Sequence, residues 1–388
     1  MKPIGFLSVF IGIATFASAA PNTVEPLEIG AAAPDFNLPG VDGKPHTLAE
    51  YADADVLAIL FTCNHCPTAQ AAEGRVKKIV GDLKEKSFQL VAISPNDPKS
   101  VRIDELGYAV YGDTLEEMKL HAKDQGFNFP YLYDGDTQDA ANAFGALATP
   151  HIFVFDKERK LRYQGRIDDS RSLAAAAQHD ARNAIEALLA GEAVPVETTR
   201  AFGCSTKWLS KKDTLAEKEA EWKKLPVTFE ELDFETAKLL ARNESSKLRM
   251  VNLWASWCGP CIEEFADLVL LGRQFESRGF DFVSISMNRP TEGAMVQEFL
   301  EEEHAAMPKR TAASVEKEGR TTNNYLNTLD TEKLAEALDP EWKGPIPYTI
   351  LIAPGGEIVY RHTDGEIDIT EVRKAIVGYL GRTYAEAK

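Results

Sequence analysis

The sequence is short of cysteine, of basic clusters and of long apolar runs. Five cysteines in 388 residues are too few for a disulfide-dense scaffold. Lysine and arginine total 43 against 60 aspartates and glutamates, a net charge of −17. The basic residues gather into nothing longer than pairs such as Lys211-Lys212 and Lys223-Lys224. Nucleic acid and anionic membrane surfaces both reward clustered Lys and Arg, so neither is expected as the main partner. Beyond residue 20 no segment reaches the ~20 apolar residues that span a bilayer, and stable membrane insertion is not expected. The composition is otherwise globular, 44% hydrophobic and 27% charged, which excludes wholesale disorder. The length suits about two domains at ~150 residues each.

The first twenty residues stand apart. Lys2 precedes an apolar core over residues 4–16, and the small residues Ala17-Ser18-Ala19-Ala20 follow. This is the pattern of a cleavable export signal, and no cysteine follows the cleavage region to carry a lipid. The expected mature protein is soluble and exported, periplasmic or secreted. Exported proteins normally use cysteines as staples. Here four of the five form two C-x-x-C pairs, Cys63/Cys66 and Cys258/Cys261. A bridge across two residues closes too small a loop to constrain much chain. The spacing suits exchange chemistry better, in which one thiolate attacks and its neighbour resolves the mixed disulfide.

Both pairs sit in the same context. In the first half, the apolar run DVLAILFT over residues 55–62 reads as a buried strand. Cys63-Asn64-His65-Cys66 follows, then a helical stretch with apolar Ala69, Ala72, Val76 and Ile79, then the strand FQLVAI over 88–93. Thr149-Pro150 leads into HIFVF, a turn, a further strand and a closing helix over 179–189. The second half repeats the order: RMVNLWA over 249–255, Trp257-Cys258-Gly259-Pro260-Cys261, a helix, FDFVSI over 280–285, Ile346-Pro347, a hairpin at Pro354-Gly355-Gly356, and a closing helix over 371–380. Pro150 follows Cys66 by 84 residues and Pro347 follows Cys261 by 86. The chain therefore reads as one α/β unit written twice, joined by a charged, helix-prone connector at 210–224.

Both halves resemble the thioredoxin superfamily, whose signature is the Trp257–Cys261 motif. Residues 226–385 are similar to exported thioredoxins of the TlpA and ResA type, with Glu264 and Asn252 fitting that subgroup. Thioredoxin itself has a buried aspartate at the position of Asn252, so its proton-handling role does not carry over. Residues 28–192 resemble the redoxin branch that includes the AhpC/TSA peroxiredoxins, through Gly30-Ala-Ala-Ala-Pro34-Asp-Phe36 and Cys66-Pro67-Thr68. Residues 193–225 form the linker, with the segment Gly203-Cys204-Ser-Thr-Lys-Trp208 similar to a recurring feature of two-domain exported redoxins. Peroxiredoxins carry Thr or Ser three residues before the peroxidatic cysteine, whereas Thr62 stands four before Cys66 and one before Cys63. The resemblance implies two tandem thioredoxin-like domains, each a mixed central sheet flanked by helices. It further implies that Pro150 and Pro347 are cis-prolines which, with Thr149 and Ile346, present backbone to an extended substrate.

The chemistry expected of these residues follows from their position. A C-x-x-C cysteine at a helix N-terminus has its thiol pKa lowered by the unpaired N–H groups of the first turn. Cys63 and Cys258 are expected as exposed nucleophiles, Cys66 and Cys261 as resolving partners. A protonated His65 would stabilise the Cys63 thiolate and make the first pair the stronger oxidant; equally it caps the helix or faces solvent. Glu264 either shuttles a proton to Cys261 or compensates the helix dipole. Trp257 is expected on an apolar docking face. Cys204 resolves a mixed disulfide, pairs between chains or sits unreactive, and all three roles stay open. His65 and His151 raise a metal reading, but zinc sites usually bring a second cysteine pair close by, so no metal is expected and no cofactor beyond the redox-active disulfides. The expected function is an exported thiol–disulfide oxidoreductase. Its substrates would be protein disulfides, with electrons from a membrane or soluble thiol reductant. The alternative is a thiol peroxidase reduced by its own C-terminal domain.

Overall fold

The computed structural model describes residues 24–170, 176–363 and 365–384, so the expected export signal lies outside the described residues. The first half runs β1 (Asn37–Pro39), β2 (Pro45–Thr47), β3 (Val56–Phe61), α1 (Pro67–Asp82), β4 (Phe88–Ser94), α2 (Leu115–Gln125), β5 (Tyr131–Tyr133), α3 (Asp139–Phe144), β6 (Ala148–Thr149), β7 (His151–Phe155), β8 (Leu161–Gly165) and α4 (Asp180–Leu189). Next come β9 (Cys204–Ser205) and α5 (Lys212–Trp222). The second half runs β10 (Glu230–Leu232), α6 (Phe234–Arg242), β11 (Leu248–Trp254), α7 (Gly259–Gln274), β12 (Phe280–Ser286), α8 (Gly293–Glu302), α9 (Lys309–Lys317), β13 (Asn324–Asn327), α10 (Thr331–Leu338), β14 (Tyr348–Ile352), β15 (Ile358–His362) and α11 (Ile369–Leu380).

Two mixed sheets result. The first has the order β5-β4-β3-β7-β8, and the second β10-β13-β12-β11-β14-β15. In each, the strand before the cysteine pair lies centrally, parallel to the next strand and antiparallel to the strand after the matching proline. The central strands are buried on both faces, which is why β3 reads as an unbroken apolar run; β11 also buries Arg249, ion-paired with Asp281, and Asn252. The alternation of side chains along a strand sends Leu57, Ile59 and Phe61 into one core and Val56, Ala58 and Leu60 into the other. β11 divides Val251 and Leu253 from Leu248 and Met250 in the same way. Among the described residues no helix is long and apolar enough to cross a membrane.

The linker differs from expectation. α5 buries nothing, as a charged connector should. The preceding segment, however, is stitched into the first domain. Gln164 N donates to Glu197 O at 3.0 Å and Thr199 N to Gln164 O at 3.0 Å. Thr206 Oγ1 donates to Ala146 O at 2.6 Å, and Gln138 Nε2 to Lys207 O at 2.8 Å. The first domain therefore runs on past residue 192 to about the start of α5. The chain after α4 returns across the sheet end because β6 offers it an unpaired edge.

The two domains pack through the far end of α7. Arg278 stacks on Tyr108 at 3.5 Å, and it donates to Gly107 O at 2.6 Å and Leu380 O at 2.6 Å. Gln274 reaches Leu106 O and Ala109 O, while Val110 packs into the second core. Truncating Arg278 leaves these buried carbonyls unpaired. Arg278→Ala is expected to cost roughly 2–4 kcal/mol and to split urea unfolding into two steps; a single unshifted transition would contradict this.

Candidate active site

Each cysteine pair sits where a buried strand gives way to a helix. Cys66 is the N-cap of α1 with Pro67 at the first helical position, and Cys258 is the N-cap of α7 with Gly259-Pro260 behind it. Proline is tolerated there because its missing N–H would be unpaired anyway. The peptide bonds Thr149-Pro150 and Ile346-Pro347 are both cis.

The second site matches the expected layout except that Cys258, expected to be exposed, is buried. Cys258 and Cys261 are joined in a disulfide, with Cys261 fully buried, Cys258 at 7% exposure and Trp257 at 67%. Ile346 packs against this cluster, next to Pro347. Glu264 lies beneath, buried, accepting from Asn252 Nδ2 at 3.3 Å and from Ile367 N at 3.3 Å. Asn252 also donates to Thr349 Oγ1 at 3.0 Å. Burial pushes the Glu264 carboxyl up to about 7, against the pull of those two hydrogen bonds. A carboxyl balanced near neutrality can accept or release a proton at working pH; a surface dipole-compensating glutamate would not be buried.

The first site departs from expectation. Cys63 is 2% exposed and Cys66 is fully buried, so Cys63 is not the exposed nucleophile its position in the motif implied. Both are free thiols. Cys63 Sγ shares a hydrogen bond with Thr149 Oγ1 at 3.1 Å, and Cys66 Sγ donates to Thr149 O at 3.2 Å. The cover is β9, which pairs antiparallel with β6 in the register Thr149↔Cys204. Pro150 and Thr149 thus hold backbone against an extended segment, and that segment is the chain's own.

A residue that sequence reasoning missed organises this site. Asp113, in the loop before α2, is 2% exposed. Its carboxylate accepts from Asn64 N at 2.9 Å, His65 N at 3.3 Å, Asn96 Nδ2 at 2.7 Å and His65 Nδ1 at 2.6 Å. Burial pushes the His65 imidazolium down, but the Asp113 charge outweighs it and the net shift is upward. His65 is therefore buried against Asp113 and biased toward its protonated form; it neither caps the helix nor faces solvent. Burial also drives the Cys63 thiol well up. At Cys66 burial raises the thiol, yet hydrogen bonds from Cys204 and Cys63 and the His65 charge bring it well below its ordinary value. The imidazolium thus acts on Cys66, not on Cys63 as the motif suggested. No local signal marks Asp113, which is 48 residues from His65.

Cys63, His65 and Asp113 bring ligand-capable atoms within 4.8 Å of one another. The Asp113 oxygens are already taken by four donors, so the cluster serves as a hydrogen-bonded anchor. His151 takes no part: its ring stacks on Phe153 and its Nε2 meets Gln164 Oε1 at 3.1 Å. Burial lowers its pKa to about 4.

Comparison with known proteins agrees with this geometry. Residues 29–164 match the AhpC/TSA family and residues 223–376 match the Redoxin family. The chain thus carries two redoxin-type domains in tandem. It is 27% identical over 139 residues to the thiol-disulfide oxidoreductase ResA of Halalkalibacterium halodurans, covering 36% of this chain and 66% of the relative. The chain spans about half to two thirds of the length of the ResA proteins it matches. It is 26% identical over 149 residues to a Mycobacterium tuberculosis protein provisionally named a peroxiredoxin, covering 38% of this chain and 82% of that one. A crystal structure of a hypothetical protein from Sinorhizobium meliloti 1021 is 34% identical, with a TM-score of 0.43, covering 48% of this chain and 97% of that one. The two family matches and the likeness to ResA proteins and to the peroxiredoxin-named protein make this chain a thioredoxin-like redox protein.

Two predictions follow from the site geometry. Asp113→Ala removes the acceptor shared by four buried donors and is expected to cost about 3–5 kcal/mol by urea titration. Thiolate absorbance is expected to show the Cys66 thiol titrating at higher pH in the variant. For Glu264, the folded value of about 7 exceeds the ordinary 4.5. Its contribution to stability is full below the ordinary value and is lost as pH rises through about 7, where the folded chain must bury a charge. Glu264→Gln is expected to match the parent's Tm near pH 4 and exceed it at pH 8; parallel Tm–pH curves would contradict this.

Proposed function

We propose that the protein is an exported thiol–disulfide oxidoreductase that reduces or exchanges disulfides in protein substrates through cycling of Cys258 and Cys261. The observation that carries this reading is the second site: a disulfide at the N-terminus of α7, flanked by an indole two-thirds exposed and facing a cis-proline loop. In the reduced form the helix N-terminus favours the Cys258 thiolate. This thiolate attacks a substrate disulfide, and one substrate sulfur leaves as a thiolate. Cys261 then loses its proton, for which Glu264 lies one helical turn along α7 as the nearest buried carboxylate, and attacks Cys258 Sγ. The mixed disulfide breaks, the second substrate thiol is released, and the Cys258–Cys261 disulfide re-forms. Each turnover consumes two electrons, so a membrane or soluble thiol reductant is the expected partner.

The likeness to ResA proteins supports the reaction class. A second reading, thiol peroxidase, draws on one observation: the burial of Cys63 and Cys66 admits a small oxidant more readily than a protein. Insulin-disulfide reduction by the full chain, with dithiothreitol as electron source, separates the two. Cys258→Ser is expected to drop the rate to the uncatalysed level. An unchanged rate would overturn the proposal. Hydroperoxide consumption abolished by Cys66→Ser, without insulin reduction, would replace it with the second reading.

A further inference from the structure

The first domain holds three sulfurs together. Cys204 packs against the cluster of Cys63, Cys66 and Ala69. Cys63 and Cys66 are buried, whereas Cys204 is half-buried, so Cys204 is the outermost of the three.

Its seat is built into the fold. β9 lies on the edge of β6 in antiparallel register, with Cys204 opposite Thr149. A Cβ on Gly203 would fall 1.9 Å from Thr149 O, so only glycine allows the backbones to approach this closely. One residue past the strand, Thr206 is held by Ala146 O. Lys207 N donates to Asn96 Oδ1 at 2.9 Å, and the same Asn96 amide donates to Asp113. The carboxylate that shapes the Cys63–Cys66 loop thus also helps to hold the strand that carries Cys204. Lys207 Nζ adds an ion pair to Glu105 at 2.7 Å.

This strand occupies the backbone edge beside Pro150 where an extended substrate would pair. A foreign protein segment cannot use that edge while β9 is in place, and it cannot reach Cys63 or Cys66 past it. Electrons must therefore pass through the sulfur that the strand itself presents.

We infer that Cys204 is the redox-active sulfur through which the buried dithiol of the first domain exchanges electrons, the oxidised domain holding a Cys66–Cys204 disulfide. Oxidation by a disulfide such as oxidised glutathione proceeds in two exchanges. The Cys66 sulfur beside it and burial push the Cys204 thiol up, so Cys204 attacks the glutathione disulfide as its proton passes to the departing sulfur, forming Cys204–glutathione and releasing one glutathione thiol. The Cys66 thiolate then attacks Cys204 Sγ, forming Cys66–Cys204 and releasing the second. Two protein thiols are oxidised and one disulfide becomes two thiols. Reduction runs in reverse: an external dithiol attacks Cys204 Sγ, Cys66 leaves as a thiolate, and the donor's second thiol closes its own disulfide and frees Cys204. The His65 charge and the hydrogen bonds that hold the Cys66 thiol low make Cys66 the better leaving group, since low-pKa thiolates leave faster.

The inference does not depend on the proposed activity of the second domain, and its test scores the two separately. Full-length protein is reduced with dithiothreitol, cleared of it, oxidised with glutathione disulfide, alkylated at low pH and digested with trypsin. One peptide ends at Arg75 and carries both Cys63 and Cys66; another spans residues 201–207 and carries Cys204; Cys258 and Cys261 share a third. A covalent link between the first two peptides is expected in the parent and in Cys63→Ser, and is expected to be absent in Cys66→Ser. In Cys204→Ser the oxidised first domain is left with a buried Cys63–Cys66 disulfide, expected to be reduced by dithiothreitol about tenfold or more slowly because access limits the exchange. Alkylated Cys204 in all oxidised parent protein, or equal reduction rates with and without Cys204, would overturn the inference. A Cys258–Cys261 disulfide that resists dithiothreitol in the same digests would count against the proposed function and leave this inference standing.

Discussion

One buried carboxylate holds the first redox centre together. An ionised Asp113 inside the protein would by itself cost several kcal/mol. Four donors, one of them the His65 ring, offset that cost. Three features depend on the arrangement. The backbone of Asn64 and His65 is pinned between β3 and α1, which sets the positions of Cys63 and Cys66. His65 keeps its proton in a place where burial alone would strip it. Through Asn96, the network reaches Lys207 and so the strand bearing Cys204. The motif, its electrostatics and its cover share one anchor, so the site behaves as a unit.

The second redox centre uses the same scaffold with the opposite electrostatics. Its C-x-x-C loop has uncharged Gly259-Pro260 where the first has Asn64-His65. The nearest buried ionisable group is Glu264, held by Asn252 and Ile367. A buried imidazole biased toward its protonated form in one domain favours a thiolate; a buried carboxyl balanced near neutrality in the other suits proton transfer. Exposure follows the same division. The second disulfide lies beside an open indole, and the first dithiol lies under a strand of its own chain. The domains are similar in topology and different in what can reach them.

Most of the scaffold was legible because its determinants are local. β3, β11, the helix starts after each cysteine pair and the two X-Pro strands are written in contiguous residues, and their order repeats. The second site was legible for the same reason: Trp257, Cys258, Cys261 and Glu264 lie within eight positions of one another. The first site was not. Asp113 reaches His65 across 48 residues, and nothing in the Gly-Asp-Thr sequence around it separates a buried ligand from an ordinary helix start. Cys204 stood out only as an odd cysteine. The β6–β9 pairing that gives it a role is a two-residue ladder, too short to leave a periodic pattern. Burial of Cys63 follows from that pairing, and so the nucleophile expected from the motif alone proved to be covered.

The packing of the two domains decides how electrons can travel. They meet at the C-terminal end of α7, through Gln274 and Arg278. The second disulfide lies at the other end of that helix. Cys261 precedes Gln274 by 13 residues, which at 1.5 Å per residue is about 20 Å along the axis. Cys258 and Cys261 belong to a different packing cluster from Cys63, Cys66 and Cys204. A disulfide exchange needs sulfur on sulfur, and no sulfur of the second site lies in the cluster that holds the sulfurs of the first. The interface is closed by a stacked guanidinium and several buried hydrogen bonds, which oppose a swing that would bring the sites together. Each centre therefore needs its own exposed sulfur. In the second domain Cys258, 7% exposed beside the open Trp257 indole, fills that place. In the first, where the motif cysteines are covered, only Cys204 among the described thiols is open enough to do so.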